Sequence, residues 1–459
     1  MEQTPVRIGG IAVTTDTGLE VRNPYSGEVI GSVPSCNESH VDAACSAAAG
    51  ALARGDFPQH ARARVLEVAA DALRDRIEDF ARTIALEAGK PIRTARVEAS
   101  RCVDTLTFSA VEARKLSGEL VPMDASPSGA GRIGFALRVP IGVIAAITPF
   151  NFPLNLVAHK VGPAIAAGCP VVLKPASATP LSAIRLVELL VESGLPEDWV
   201  SVVTGSGKDV GDALVEHPIP RLVTFTGSPG VGWNLPAKAP RKKVSLELGS
   251  NSPLIVEPGA DLDAVATKVR VAGFSHAGQS CISTQRVLVQ RSIQSDLVSS
   301  LREAVESLVL GDPLDEATDV GPLISPEETE RVLRWIDEAV AAGAKLVTGG
   351  RVQDGLLLPT IVSDAPAHVD LCAREAFGPV IAVMPYDEFD EAIDIANDGE
   401  YGLHAGVFTN DLDKAMTAAR RLEYGGVLIN DVPTYRADQQ PYGGVKGSGN
   451  TREGPAYAV

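Results

Sequence analysis

Apolar residues recur at helical spacing through Ser39 to Ala53 and Pro58 to Ala88, both rich in Ala, Leu and Arg. The second stretch is expected to end at Gly89, just ahead of Pro91. Further on, short runs of aliphatic and β-branched residues take over. They are Ile141 to Ile147, Pro170 to Leu173, Val200 to Val203, Leu222 to Phe225 and Val244 to Leu246. Helix-like stretches such as Leu181 to Ser193 separate them. This alternation predicts a parallel sheet covered by helices on both faces, an α/β fold. The pattern restarts after Gly249 with a helix over Leu262 to His276, a strand over Arg286 to Gln290 and a helix over Gln294 to Leu308. Strands are also expected near Val380 to Val383 and Val427 to Ile429, making a second α/β unit. Between Gly118 and Pro140 a Gly- and Ser-rich loop precedes alternating Ile133, Phe135 and Leu137. That segment predicts a β-hairpin arm suited to contact another subunit.

Composition narrows the class. The 459 residues are 45% hydrophobic and 22% charged, as in soluble globular chains. The net charge of −17 repels phosphate backbones and anionic bilayers, and the only basic run is Arg241-Lys242-Lys243. Neither a nucleic acid nor a membrane is therefore an expected partner. The most apolar region, Ile141 to Leu173, is broken by Asn151, Asn155, His159, Lys160 and prolines, so it is not read as a bilayer span. Met1 to Gly18 lacks the pattern of a secretory leader. The six cysteines are far apart with no CxxC pair, which fits a reducing cytoplasm better than a disulfide scaffold. The seven histidines show no ligand spacing, so no metal site is expected.

Five positions invite a chemical reading beside an ordinary one. Cys281, in His276-Ala277-Gly278-Gln279-Ser280-Cys281, is either a packed thiol or a nucleophile toward a carbonyl. Glu247 closes a Val/Leu strand, where a carboxylate is costly to bury unless it is paired or acts as a general base. Asn151 stands between Pro149 and Pro153, as a turn residue or as an amide aimed at a developing oxyanion. Lys174 ends a strand, solvated or poised where α/β sheets bind ligands. No GxGxxG occurs, yet Thr226-Gly227-Ser228-Pro229-Gly230-Val231-Gly232 follows a strand. It reads as a plain βα turn or as a phosphate cradle.

Taken together, the chain resembles the aldehyde dehydrogenase superfamily from about Val21 to Gly454. The motifs occur in family order: Thr148 to Pro153, Lys174-Pro175, Phe225 to Gly232, Glu247-Leu248-Gly249, Gly278 to Cys281, and Glu375-Ala376-Phe377-Gly378-Pro379. Asn397 before Tyr401-Gly402-Leu403 and Pro441 to Gly449 complete the series, and 34 positions separate Glu247 from Cys281 as in that family.

The resemblance implies an atypical Rossmann cofactor domain (1–117 and 141–249), an oligomerisation arm (118–140 with part of 441–459) and a catalytic domain (250–440). It implies attack by Cys281 on an aldehyde, an oxyanion held by Asn151 and the Cys281 N–H, and thioester hydrolysis by water that Glu247 activates. NAD or NADP would lie against Pro149, Phe150, Lys174, Ser177, Gly227, Ser228, Gly232, Glu375 and Phe377. Ser177 stands where NAD-specific members often carry glutamate, so NADP is expected to be accepted and is the candidate for preference. Ser250 and Asn251 replace the commoner Gly-Lys without touching the base. The family assembles as dimers or tetramers, and its chains usually run beyond the counterpart of Pro455, so the end at Val459 leaves the choice open.

For substrate, a small aldehyde is expected, with Arg101, His159 and Arg436 as candidate contacts. Arg101 and Arg436 would suit an anionic tail such as that of succinate semialdehyde, or would serve structural salt bridges. Lactaldehyde-, glycolaldehyde-, phosphonate- and sulfonate-type aldehydes are alternatives. Two other classes compete: a CoA-acylating dehydrogenase, which would not need Glu247, and a non-catalytic homologue, which would not need the whole set.

Overall fold

The computed structural model describes residues 2–459 and contains two large, mainly parallel sheets. In the first, the strands run in the spatial order Lys243–Glu247, Leu222–Thr226, Ile144–Ile147, Val171–Lys174, Val200–Val202, all parallel. Val171–Lys174 is buried at every position because helices cover both faces, so its apolar run is continuous rather than alternating. Ile144–Ile147 comes first in the chain yet lies at the centre. The next two strands add on one side and the last two on the other, so connections diverge at its carboxyl end and open a crevice. Register puts Ile147 opposite both Phe225 and Lys174, and Thr226 opposite Glu247. The turns and side chains singled out in the sequence therefore leave this sheet along one edge.

The second sheet has seven strands, in the order Lys345–Thr348, Thr360–Ser363, Val380–Tyr386, Thr284–Gln290, Ser252–Val256, His404–Phe408, Gly426–Ile429. Only the first of these pairs antiparallel. One hydrophobic core is built from residues between Val6 and Leu248, and another from Leu254 to Val432. A third, small cluster of Ile282, Leu403 and Tyr442 has Cys281 packed against it.

The helix expected over Pro58 to Ala88 is two helices, Gln59–Asp75 and Ile77–Ala88. The chain breaks at Arg76, whose φ of −118° leaves the helical region. Neither proline nor glycine marks that break, so no punctuation announces it in the sequence. Leu73 and Phe80, on either side, both stay fully buried. The stop at Gly89 is found as expected: its φ is +67°, and a Cβ there would press to 2.8 Å from Pro322.

The segment 118–140 forms a short hairpin, Glu119–Val121 against Gly134–Ala136. Leu120, Ile133, Phe135, Leu137 and Val139 on it are each at least 68% exposed. The C-terminal residues fold onto the first sheet instead of adding a strand to this hairpin. Gly449 bridges Glu247, Tyr442 bridges Glu453, and the turn of helix Pro455–Ala458 packs on helices Ile92–Lys115 and Asn155–Ala167. Among the described residues no helix is long and apolar enough to cross a membrane.

Candidate active site

Asn151 lies in the turn that follows Ile144–Ile147, ahead of the helix that starts at Asn155. His159 therefore sits about one turn into that helix. The buried Asn151 side chain donates from Nδ2 to the Gln279 carbonyl at 2.9 Å, and its Oδ1 has no partner. Its loop is gripped from behind. Glu98 accepts hydrogen bonds from the Leu154 and Asn155 N–H groups (2.9 and 3.1 Å) at the start of the helix, where a negative charge is favoured. Glu98 is itself ion-paired with buried Lys90, whose ammonium lies 3.7 Å over the Phe152 ring.

The helix expected to reach His276 ends at Phe274. His276, Ala277 and Gly278 follow with φ of 50°, 53° and 71°, a left-handed turn that costs about 1–2 kcal/mol for each non-glycine residue. Such strain persists where the surroundings enforce it, often at functional sites. Here Gly278 abuts the Gly378 carbonyl too closely to carry a Cβ (2.1 Å). The turn delivers Cys281 just before Thr284–Gln290. Its Sγ lies 2.8 Å from the Tyr442 hydroxyl, and the Arg436 guanidinium stacks 3.7 Å over the Tyr442 ring. Burial pushes the Cys281 thiol up to about 12. The Tyr442 hydrogen bond and Arg436 act downward, while Glu375 and Glu247 act upward.

Glu247 ends its strand buried, and neither carboxylate oxygen has a hydrogen-bond partner. Gly443 leaves the space it occupies, because a Cβ there would sit 2.7 Å from Oε1. Burial raises its pKa well above the usual carboxylate range, Glu453 adds to the shift, and Arg436, Lys160 and Arg452 oppose it. Glu453 contrasts with it. It accepts from Lys160 Nζ at 3.1 Å and Arg436 Nη2 at 3.2 Å. Burial alone would raise its pKa, but Lys160 and Arg436 prevail and hold it at about 2.

Among the residues expected to hold a cofactor, Glu375 accepts from the Ser250 N–H at 2.9 Å, and burial lifts its pKa to about 7. Phe377 adopts a φ of 47° and meets the Phe150 ring edge-on at 5.8 Å, next to Pro149. Lys174 is buried with only the Pro175 carbonyl near its ammonium (3.2 Å), and burial lowers its pKa to about 8. Ser177 donates to the Gly205 carbonyl at 2.8 Å. Gly227, Ser228 and Gly232 form the turn after Thr226, and the helix there is one turn only, Pro229–Gly232. A Cβ on Gly232 would strike Leu248 at 2.3 Å.

The three candidate substrate contacts fall into two ion-pair clusters. Arg101 grips Asp438 with two nitrogens (3.1 and 2.9 Å), and His159 Nε2 reaches the same carboxylate at 2.9 Å, beside Asn155 at 3.1 Å. Burial drives the His159 pKa down to about 4, with Arg436 adding, so the ring is neutral near pH 7. Burial would raise Asp438, but His159 and Arg101 hold it well below the usual carboxylate range. Arg436 belongs to the other cluster. Its Nη2 pairs with Glu453, while its buried Nε has no partner. Asp438, Glu453, Lys160 and Tyr442 were not singled out from the sequence. Tyr442 lay inside a quoted motif and Asp438 two residues past Arg436, but nothing in the sequence says which groups a loop brings together.

Cys281 with the buried, unpartnered Glu247 carboxylate at the carboxyl edge of the first sheet, where α/β folds bind ligands, makes a candidate enzyme site. The comparisons specify which kind. The chain belongs to the aldehyde dehydrogenase family, whose model matches residues 12–459. It is 46% identical over its full length to 3-sulfolactaldehyde dehydrogenase of Priestia aryabhattai, covering 96% of that protein. Its fold superimposes with a TM-score of 0.96 on aldehyde dehydrogenase 21 from Physcomitrella patens in complex with the reaction product succinate. That match is 40% identical and covers 100% of this chain and 96% of the other. Glyceraldehyde-3-phosphate dehydrogenase from Methanocaldococcus jannaschii, complexed with NADP, matches at TM-score 0.93 and 39% identity, over 97% of both chains. The protein is an NAD(P)-dependent enzyme that oxidises an aldehyde to a carboxylic acid.

Proposed function

We propose that the enzyme oxidises a small aldehyde bearing an anionic tail, with Cys281 as nucleophile, Asn151 as oxyanion donor and Glu247 as the base for hydrolysis. The observation that carries the chemistry is the buried Glu247 carboxylate with both oxygens unpartnered, a base with nothing else to do. A CoA-acylating enzyme would not need it.

Cys281 adds to the aldehyde carbon, and the Asn151 amide with the Cys281 N–H holds the oxygen where negative charge develops. A nicotinamide held here would supply the hydride acceptor that oxidation of the aldehyde carbon requires. Glu247 then takes a proton from water as it attacks, and the carbon–sulfur bond breaks to release the acid and the Cys281 thiolate. The residues fit a dinucleotide. Lys174 offers a buried ammonium lacking an anionic partner, and Gly227 and Ser228 begin the turn into the short helix Pro229–Gly232 at the carboxyl edge of the sheet. Phe150, Pro149 and Phe377 would flank the nicotinamide end, and Ser177 with Ser228 the phosphate end. Ser177 carries no charge that would repel a 2′-phosphate, which favours NADP. The hairpin 118–140, with its exposed apolar row, would join copies of this chain into a dimer or tetramer.

Support for the anionic tail comes from the unpartnered Arg436 Nε beside Cys281 and from the sulfonate, carboxylate and phosphate groups in the names of the three relatives. Two measurements test the proposal. Cys281→Ser should reduce turnover by at least about a thousandfold, and reduced cofactor forming at the parental rate would overturn the mechanism. Succinate semialdehyde should exceed an uncharged aldehyde of equal length by about tenfold or more in kcat/KM, a gap of about 1.4 kcal/mol. Equal values would remove the anionic tail.

A further inference from the structure

We propose that the Tyr442 hydroxyl is a catalytic group that donates a hydrogen bond to the Cys281 sulfur, favouring its thiolate before attack and again when the acyl group departs. The inference rests on Cys281 being the nucleophile. Its geometric basis is the 2.8 Å contact between Sγ and the phenol oxygen, both within the small cluster with Ile282 and Leu403. The two atoms are close enough for a hydrogen bond, and the phenol is the only partner the thiol has among the described residues.

The ring is fixed from two sides. The Arg436 guanidinium stacks on it at 3.7 Å, and the His404 ring meets it edge-on at 5.0 Å, with His404 Nδ1 held on the Pro433 carbonyl at 2.9 Å. Neither partner competes for the phenol oxygen. The charged and titratable groups facing the pair are few. Glu247 approaches from the first sheet, Glu375 from the turn before Val380, Arg436 from the segment before the Pro441 motif, and His404 from the second sheet. The two carboxylates oppose a thiolate and Arg436 favours it. His404 is driven neutral by burial, its pKa falling to about 4, and contributes no charge near pH 7. Tyr442 is therefore the one neutral donor in direct contact with the sulfur.

Its role follows through both half-reactions. In the first, the Cys281 thiol gives its proton to water, the sulfur lone pair forms the bond to the aldehyde carbon and the C=O π pair moves to oxygen, while Tyr442 keeps its own proton. Once sulfur is acylated, the phenol loses its acceptor. In the second, the tetrahedral adduct collapses, the carbon–sulfur pair returns to sulfur, and the phenol again has a thiolate to donate to. A hydrogen bond to an ionised partner shifts its titration by about one to two pH units. Because intrinsic nucleophilicity falls as the thiol becomes more acidic, each unit gained raises reactivity below the titration midpoint by about threefold rather than tenfold.

The test is the pH profile of Cys281 alkylation by iodoacetamide in the intact enzyme, with Cys281→Ser as the blank. Tyr442→Phe should move the midpoint upward by about one to two units, and alkylation and kcat/KM near neutral pH should fall about threefold to tenfold. NADP binding should be unchanged and certifies that the variant is folded. A second arm needs no substitution at this site. Biosynthetic replacement of the seven tyrosines by the more acidic 3-fluorotyrosine should move the midpoint the other way. An alkylation profile that moves in neither arm overturns the role of Tyr442 while leaving Cys281 as nucleophile. Turnover that survives in Cys281→Ser overturns the underlying mechanism instead.

Discussion

Glu247 lies against the Pro441–Gly454 segment and Glu453 belongs to it; both are buried glutamates, and they share Arg436 and Lys160 as neighbouring cations. Their surroundings differ in one respect. Glu453 makes direct contacts to both cations, at 3.1 and 3.2 Å, and stays ionised at any ordinary pH. Glu247 touches neither and is pushed toward its protonated form. The contrast separates a carboxylate that holds the fold from one that is left free to react. Burial is common to both, so it is the missing partners that make Glu247 the candidate base.

The largest effect should come from Glu247→Gln. Loss of a positioned general base reduces turnover by about a hundred- to ten-thousandfold. The first equivalent of reduced cofactor should still appear as a burst, because the thioester forms and then waits. The fold should not weaken, since an unpaired buried carboxylate is removed. A vanished burst, or a fall in the denaturation midpoint as large as that for Glu453, would erase the distinction between the two residues.

Glu453→Gln is expected to do the reverse. Removing one partner of a buried ion pair leaves Lys160 and Arg436 without their anion, at a cost of about 3–5 kcal/mol. Denaturant unfolding followed by tryptophan fluorescence should show it. The same change removes a negative neighbour of Glu247, so the alkaline-rising limb of the pH–activity profile should move to lower pH. An unmoved limb together with full stability would mean the two carboxylates do not sense one another.

The first sheet was legible in the sequence because each of its strands is a short aliphatic run bounded by turn residues, and each lies within a few residues of its expected place. Of the second sheet only Thr284–Gln290, Val380–Tyr386 and Gly426–Ile429 were expected, whereas Ser252–Val256, Lys345–Thr348, Thr360–Ser363 and His404–Phe408 were not. The break at Arg76 was not, since tertiary packing imposes it without a local marker. The left-handed turn at His276 and Ala277 was hidden for a similar reason. Neither residue type is one that signals positive φ, and the close approach of Gly278 to Gly378 comes from a segment a hundred positions away. Cys281, Glu247 and Asn151 each kept an ordinary reading when taken singly, and it was the ordered series of motifs resembling the family that singled them out. Asp438, Glu453 and Lys160 carry no such mark. Charged residues in a loop or helix look solvated until the fold brings them to Arg101, His159 and Arg436.

The smallest effect, and the sharpest in sign, is the pH dependence of stability. Glu453 has a folded pKa near 2 against an unfolded value of 4.5. Its stabilisation is therefore fully present above about pH 4.5 and is lost as pH falls toward 2. Glu247 has a folded pKa above its unfolded 4.5, so its cost is absent below that pH and grows as pH rises toward the folded value. Each unit of displacement is worth about 1.4 kcal/mol. Melting curves from acid to mildly alkaline pH should show Glu453→Gln converging on the parent below about pH 4.5. Glu247→Gln should match the parent there and exceed it increasingly above, and two difference curves of the same sign would break the comparison, because they would make Glu247 a second structural anion and leave hydrolysis without its base.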